Sequence, residues 1–491
     1  MITWGISANS HDAAIAVFRD KELVYAGHSE RYSKVKNDGH LHSSQVTQLI
    51  NKYGIPDKVV WYEKPIAKSF RQWWAGQGLR FSENNIRQYL SNYGITAPIE
   101  YVWHHHSHAA AGYYTSEFKD ACVVVIDAIG EFETLTIWEG KHSKLTKKFK
   151  INYPDSVGLW YSALTQRCGL KPNEEEYILM GMAALGSPYK HYYTVSEFID
   201  HYVEPIQFTT NLHKGCLDWH PELTSEQDFF DLAAATQARY ERIFLDVLTY
   251  AHSIVPSDNL VLMGGCALNC VANRLAINPL YSKFKNVWIM PNPGDAGSSV
   301  GAVLAKWQHH IKWPGPFLGF DMGYTNSNDE IIDYILEHGI AAVARGRAEF
   351  GPRALGNRSL LADPRLPNVK DRLNAVKRRE PFRPFAPAIL AEHAAENFKM
   401  PCEYTPYMQF AVKCLHPDRY PAIVHIDNTS RVQTITKNDN QQFRDLLERW
   451  YARTGCPMLV NTSLNIKGEP MINDHADADR WEQQYNIRVF R

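Results

Sequence analysis

Residues 121–131 read ACVVVIDAIGE, and the fold class turns on this stretch. Residues 123–126 are an unbroken apolar run that ends at Asp127, as a fully buried strand does, with Gly130 close behind. A carboxylate at the carboxyl end of such a strand lies where α/β folds place their ligands. The pattern recurs downstream, where the apolar run 260–263 ends at Gly264-Gly265. An α/β fold is therefore expected.

Outward from this strand, the chain opens as strand, turn, strand: residues 2–6, the turn SANSHD, residues 13–18, then a turn at Arg19-Asp20-Lys21 and a third strand to Ala26. Residues 43–53 and 228–254 carry helical spacing, and residues 59–62 read as a short buried strand. Residues 69–93, rich in aromatic and basic side chains (Phe70, Trp73, Trp74, Arg80, Phe81), read as an amphipathic helix packed into the core. Pro314-Gly315-Pro316, Gly319 and the polar TNSNDE mark a boundary, and a second α/β unit starts near Glu330. The expected division is 1–325 and 326–491.

The bulk numbers agree. A chain of 491 residues exceeds one hydrophobic core. Hydrophobic and charged shares of 45% and 21% are ordinary for a globular protein. A net charge of −1 argues against a surface built for nucleic acid or membrane. No apolar run approaches the roughly 18 residues of a spanning helix, and the N-terminal stretch lacks the features of a signal peptide. Eight scattered cysteines, among them Cys122 and Cys266 in apolar runs, suggest reduced thiols in a cytoplasmic protein.

Residues 101–110, YVWHHHSHAA, place His104 and His108 four apart, on one face of a helix, where they can grip one cation. With Asp127, and with Asp295 in the glycine turn of PNPGDAGSSVGA, they make a mixed nitrogen and oxygen donor set. Such a set suits a divalent metal, Fe(II) ahead of Mn or Zn. Gly264-Gly265 and the 294–297 turn let backbone approach a phosphate or ribose. A lone histidine-rich patch is more often ordinary core or surface histidine; the two aspartates tip the balance.

HHHSHAA, IDAIGE, EEYILMGMAALG, MGGCALNC and PNPGDAGSS resemble, in order, the motifs of the NodU/CmcH-type O-carbamoyltransferases. The resemblance implies a two-lobed, actin-like, sugar-kinase-like ATPase domain similar to the TsaD-type proteins. It implies that His104, His108, Asp127 and Asp295 bind iron, and that Gly130, Glu131, Gly264, Gly265 and Asn269 surround a nucleotide. Ile178 departs from the pattern, standing where the family often has lysine. SANSHDAAIAV resembles the phosphate-facing N-terminal loop of the family, so His11 is the candidate general base and Asp12 its neighbour that orients substrate or holds the turn. Read from residue type alone, both would simply stabilise the turn.

Between Arg345 and Arg383 stand eleven Lys and Arg against four acids, a local excess for which an anionic ligand is the natural reason. GRAEFGPRALGNRSLLADPR, KRREPFRPFAPAIL, DNTSRVQT and LVNTSLNIKGEP are similar to the C-terminal YrdC-like domain of the same family. By position this implicates Arg353, Lys377 (or its neighbour Arg378), Arg383 and Arg431, with Asn461, Thr462 and Ser463, in binding carbamoyl phosphate and ATP, with Mg accompanying the ATP. The expected activity is ATP-dependent O-carbamoyl transfer, through carbamoyl-adenylate, to a hydroxyl of a small molecule or nucleotide. The alternative acceptor is a nucleic acid, tRNA or a hydroxymethylated DNA base; an idle scaffold or a simple kinase would leave the metal set or the arginine set unexplained. A homodimer is the assembly considered.

Overall fold

The computed structural model describes residues 1–78, 80–200 and 206–491. The chain divides into two compact units, one of residues 1–23 and 43–313, the other of 24–42 and 314–491. The second unit begins at the Pro-Gly-Pro boundary, and it also takes in an N-terminal segment that the sequence reading placed elsewhere.

The first unit is built on two mixed sheets with one topology. In the first, Ile2–Ser7 pairs antiparallel with Ala14–Arg19 and parallel with Lys58–Trp61, which pairs parallel with Ile99–Tyr101. In the second, Asp120–Ile126 pairs antiparallel with Glu133–Lys141 and parallel with Asn259–Met263, which pairs parallel with Asn286–Trp288. The two sheets repeat one strand order in an α/β unit. The apolar run at 123–126 is buried, as the reading required.

The helix His104–Thr115 is buried nearly all round, and the helix Ser298–Trp307 packs on it and on Ile2–Ser7. Two glycines make that approach. A Cβ on Gly301 would lie 1.8 Å from the Ser107 carbonyl oxygen, and one on Gly5 would lie 1.8 Å from that of Ser299. Any side chain there would push apart the elements that carry the histidines and Asp295.

Two local readings need correction. The 69–93 stretch is not one helix: Pro65–Trp74 and Ile86–Ser91 are separate helices joined by turns, and Leu79 lies outside the described residues. Nor do its aromatics enter the core, for Phe70, Trp73 and Trp74 are 51%, 58% and 59% exposed. The first helix buries its polar side chains instead. Lys68 Nζ meets Glu63 Oε1 at 2.8 Å and the Asn9 carbonyl oxygen at 2.9 Å, and Arg71 Nε donates to the Glu131 carbonyl oxygen at 3.2 Å. Satisfying buried charge outweighs the aromatic stripe, so the helix is amphipathic with its faces reversed. Cys266, read as part of an apolar run, sits in the turn Gly265–Leu268; all eight cysteines are unpaired.

The second unit is built on a six-stranded sheet in the order Gln433–Ile435, Ala386–Leu390, Met458–Ser463, Arg358–Ala362, Ile340–Ala344, Val489–Phe490. Ser327 and Glu330 form a capping box at the start of the helix Asn328–His338, which stops at Gly339 with φ +82°. The C-terminal tail is part of this core. After the helix His475–Tyr485, Val489–Phe490 pairs parallel with the strand Ile340–Ala344.

Candidate functional site

In the first unit the four residues singled out as metal ligands converge. His104 and His108 start one helix, Asp127 follows the strand Asp120–Ile126, and Asp295 opens the turn before Ser298–Trp307. Their ligand atoms all lie within 4.8 Å of one another. His104 Nε2 is 3.2 Å from Asp127 Oδ2 and 3.4 Å from Asp295 Oδ1; His108 Nε2 is 3.3 Å from Asp295 Oδ1. Both histidines are buried.

Burial opposes charge at His104, Asp127 and Asp295, yet their mutual attraction prevails. Asp295 and Asp127 hold the His104 imidazole well above its ordinary value, while the two histidines hold Asp127 down to about 2 and Asp295 well below the carboxylate range. His108 Nδ1 lies 3.1 Å from the Pro293 carbonyl oxygen, which can only accept. Nδ1 therefore carries the proton, and in the neutral ring Nε2 presents a lone pair, 3.0 Å from His104 Nε2. Two imidazole nitrogens and two carboxylates on one small volume fit a divalent cation.

Glu131 lies beside this cluster in a role its type and spacing did not disclose. Its carboxylate accepts from the backbone N–H of Lys64 at 2.6 Å and of His104 at 3.1 and 3.2 Å. It therefore holds the N-terminal end of the histidine helix, whose own cap residue, Trp103, offers no side-chain acceptor. Burial first, with Glu63 adding and His104 opposing, pushes Glu131 up to about 7.

The glycines play steric parts. Gly264, at φ +91°, has no room for a Cβ, which would lie 2.2 Å from the Ile126 carbonyl oxygen, and Gly265 N–H donates to Asp127 Oδ1 at 2.9 Å. Gly130 packs against the His104 side chain. Asn269 caps the helix Cys270–Ala276 through Ala272 N–H and pairs with Gln237. Ile178 is buried in the helix Glu176–Met182.

At the hairpin, His11 Nδ1 stands 3.0 Å from Asp12 Oδ2, with Asp12 at φ +52°. Burial works against the charged imidazole, but Asp12 outweighs it, followed by Asp295, and His11 is raised to about 10. The ring is therefore protonated at neutral pH, unlike the unperturbed imidazole expected of a ready base.

In the second unit the implicated residues are linked through the sheet. Lys377 Nζ, buried, donates to Ser463 and Asn465, reaching the Asn465 carbonyl oxygen at 2.9 Å and its Oδ1 at 3.0 Å. Asn461 Nδ2 donates to the Ala354 carbonyl oxygen at 3.2 Å and to Gln433 Oε1 at 2.7 Å, and Gln433 donates to the Leu355 carbonyl oxygen at 3.1 Å. These bonds join the Arg353 loop, the Arg431–Gln433 segment and the 461–463 strand end. Thr462 lies opposite Leu360 on the neighbouring strand. Arg383 keeps Glu380 at 3.3 Å. Burial first, then Arg379, Arg383 and Lys36, holds Lys377 well below the lysine range.

The arginine excess, however, is not all for a ligand. Arg358, fully buried, donates to five backbone carbonyls, those of Arg345, Gly346, Asn357, Asn473 and Phe320. Arg345, Arg347, Arg365, Arg372 and Arg379 likewise bond to protein groups. Six of the eleven basic residues thus tie the fold together, because one guanidinium can donate to several carbonyls at once.

With this geometry in place, likeness to known proteins is informative. Residues 94–304 match the family model described as Carbamoyltransferase N-terminus, and residues 332–490 match Carbamoyltransferase C-terminus. The uncharacterized protein sll1178 of Synechocystis sp. is 31% identical over 97% of this chain and 93% of its own. Nodulation protein NolNO of Sinorhizobium fredii is 29% identical over 95% of this chain and 76% of its own. The 3'-hydroxymethylcephem-O-carbamoyltransferase of Amycolatopsis lactamdurans is 27% identical over 95% of this chain and 94% of its own. Among solved structures, full-length HypF in its phosphate- and nucleotide-bound form is similar over 62% of this chain and 54% of that one, at 12% identity and TM-score 0.36. Among the described residues no helix is long and apolar enough to cross a membrane. The chain belongs to the carbamoyltransferase family of the NodU/CmcH type and is a transferase enzyme.

Proposed function

We propose that the chain is an ATP-dependent O-carbamoyltransferase working in two stages, one in each unit. In the second unit, carbamoyl phosphate is hydrolysed to carbamate and inorganic phosphate. The carbamate oxygen then attacks the α-phosphorus of ATP, forming carbamoyl-adenylate and releasing pyrophosphate. Arg353, Lys377, Arg383 and Arg431 bind the phosphoryl oxygens and offset the charge gathered there, with Mg accompanying ATP, so the gain is positioning and electrostatics. Asn461, Thr462 and Ser463 sit at the strand end beside them.

In the first unit, an acceptor hydroxyl attacks the carbamoyl carbon, its proton passes to His11 Nε2, and AMP leaves. Asp12 holds the Nδ1 proton and stabilises the imidazolium that forms, which is the division of labour in an Asp–His pair. His104, His108, Asp127 and Asp295 would hold Fe(II), which when bound supplies positive charge to the adenylate phosphate. Gly130, Glu131, Gly264, Gly265 and Asn269 shape the wall on which the nucleotide lies. The acceptor is a small molecule or nucleotide bearing an alcohol. The O-carbamoyltransferase relative, whose name specifies a hydroxymethyl acceptor, favours that choice.

The observation that carries this reading is the convergence of the four ligand atoms within 4.8 Å beside glycine turns, in a chain of carbamoyltransferase sequence. The test is product analysis with ATP, carbamoyl phosphate and a pool of alcohols. AMP and pyrophosphate are expected, with a carbamoyl mass gain on one alcohol. ADP as the nucleotide product would rule out the adenylate.

A further inference from the structure

The N-terminal segment 24–42 is counted with the second unit, and its contacts there are specific. Arg347 Nη2 donates to the Val24 carbonyl oxygen at 2.7 Å, His28 packs on Phe350 with ring centroids 5.3 Å apart, and Lys34 pairs with Asp477. Between these anchors lies Arg31, 3% exposed. Its Nη2 donates to the Gly351 carbonyl oxygen at 3.1 Å, two residues before Arg353. Its Nη1 and Nε are buried with no hydrogen-bond partner, although Glu30 Oε1 stands 3.4 Å from Nε.

A buried guanidinium with two nitrogens unsatisfied is costly to keep, by about 1–3 kcal/mol for each donor group left unpaired. Every other deeply buried arginine of this unit, Arg345, Arg358 and Arg444, bonds to protein groups through two or more of its nitrogens. Arg31 is the exception, and it sits beside the loop that carries Arg353. Five residues on, Lys36 lies within electrostatic reach of Lys377. The neighbours whose charge acts on Lys377 are the positive Arg379, Arg383 and Lys36, while Glu380 stands 3.3 Å from Arg383 and pairs also with Lys467. Such an imbalance calls for an anion.

We propose that segment 24–42 completes the anion site of the second unit, with Arg31 and Lys36 binding phosphoryl oxygens of the substrate alongside Arg353 and Lys377. This rests on the assignment of that site to carbamoyl phosphate and ATP. Arg31 offers its ligand the two nitrogens that have no hydrogen-bond partner, Nη1 and Nε, each donating to one phosphoryl oxygen. Lys36 acts as a point charge at the Lys377 side. Both substrates carry the same phosphoryl chemistry, and separate titrations distinguish them.

The test is calorimetric titration of the full chain with inorganic pyrophosphate and, separately, with carbamoyl phosphate. Wild type is compared with Arg31→Gln, Arg31→Lys, Lys36→Gln and Arg353→Gln. Arg31→Gln is expected to weaken one or both anions by about tenfold or more, Arg31→Lys to recover part of that, and Lys36→Gln to weaken binding about threefold. Loss confined to carbamoyl phosphate places Arg31 on that substrate, and loss confined to pyrophosphate places it on the ATP phosphates. Affinities of Arg31→Gln within twofold of wild type, in a chain that melts with wild type, overturn the proposal. Where Arg31→Gln does not fold, unchanged affinities in Lys36→Gln overturn it instead. Wild type binding neither anion, or Arg353→Gln binding both as wild type does, overturns the underlying site assignment.

Discussion

The histidine–aspartate cluster of the first unit and the basic cluster of the second store buried charge in opposite ways. His104, His108, Asp127 and Asp295 mix donor types, and His104, Asp127 and Asp295 are held in their charged forms by their neighbours despite burial. Lys377, Arg379, Arg383 and Lys36 share one sign, and burial first, with those neighbours adding, holds Lys377 well below the lysine range. The first cluster therefore holds together on its own and can receive a cation into an existing ring of donors. The second gathers like charge, and bonds from Lys377 to Ser463 and Asn465 and from Arg383 to Glu380 keep it assembled. Stability of the fold and occupancy of the site are thus linked differently in the two units.

The largest expected effect comes from breaking the mixed cluster. Asp295→Ala leaves two buried imidazoles with one carboxylate, a loss of about 3–5 kcal/mol in the cluster, so metal affinity should fall more than 100-fold. Elemental analysis of the purified chain checks this, and pyrophosphate binding should stay at the wild-type value. Retained metal would end the assignment of these four residues. Next is Arg358→Met, which removes a donor from five carbonyls and should cost about 3 kcal/mol of stability in urea unfolding. Carbamoyl phosphate affinity of the folded chain should be preserved; a selective loss of affinity would make Arg358 a ligand residue after all.

Gly301→Ala sharpens the comparison without touching a ligand. Its methyl group would meet the Ser107 carbonyl oxygen, displacing the Asp295 helix from the histidine helix. Metal affinity should drop about tenfold, comparable to disturbing an outer-shell support. Arg353→Gln should raise the KM for carbamoyl phosphate about tenfold, with melting temperature and metal content unchanged. The smallest effect is a shift in pH. His11, raised to about 10, must lose its proton to act as a base, so the rate should climb with pH through the alkaline range. Asp12→Asn removes the largest stabilising partner of the imidazolium and should move that rise downward, towards about 6.5. An unmoved profile in stopped assays from pH 6 to 10 would remove His11 from the proton transfer.

Much of this was legible in the primary structure. Buried strands ending at Asp127 and Gly264, the i, i+4 histidines and the boundary at 314–316 are local patterns whose period or chemistry survives folding. Other features were hidden. The 65–74 helix reads as core-seeking because it carries two tryptophans, yet buried partners for Lys68 and Arg71 turned the stripe outward. Glu131 gives no signal of its capping role, since Lys64 and His104 are 67 and 27 residues away. Nothing in GPRALGNR shows that Arg358 meets a nest of carbonyls.

By itself, then, the sequence determined the α/β class, the membership in a carbamoyltransferase family and the four donors of the first cluster. Each depends on residue type at short range or on motifs kept in order. Tertiary structure alone decided which arginines serve the backbone, Arg358 above all. It also decided which face of a helix is buried, and that residues 24–42 join the second unit. The reason is physical: satisfaction of a buried donor depends on atoms brought from hundreds of residues away, and no local pattern encodes their arrival.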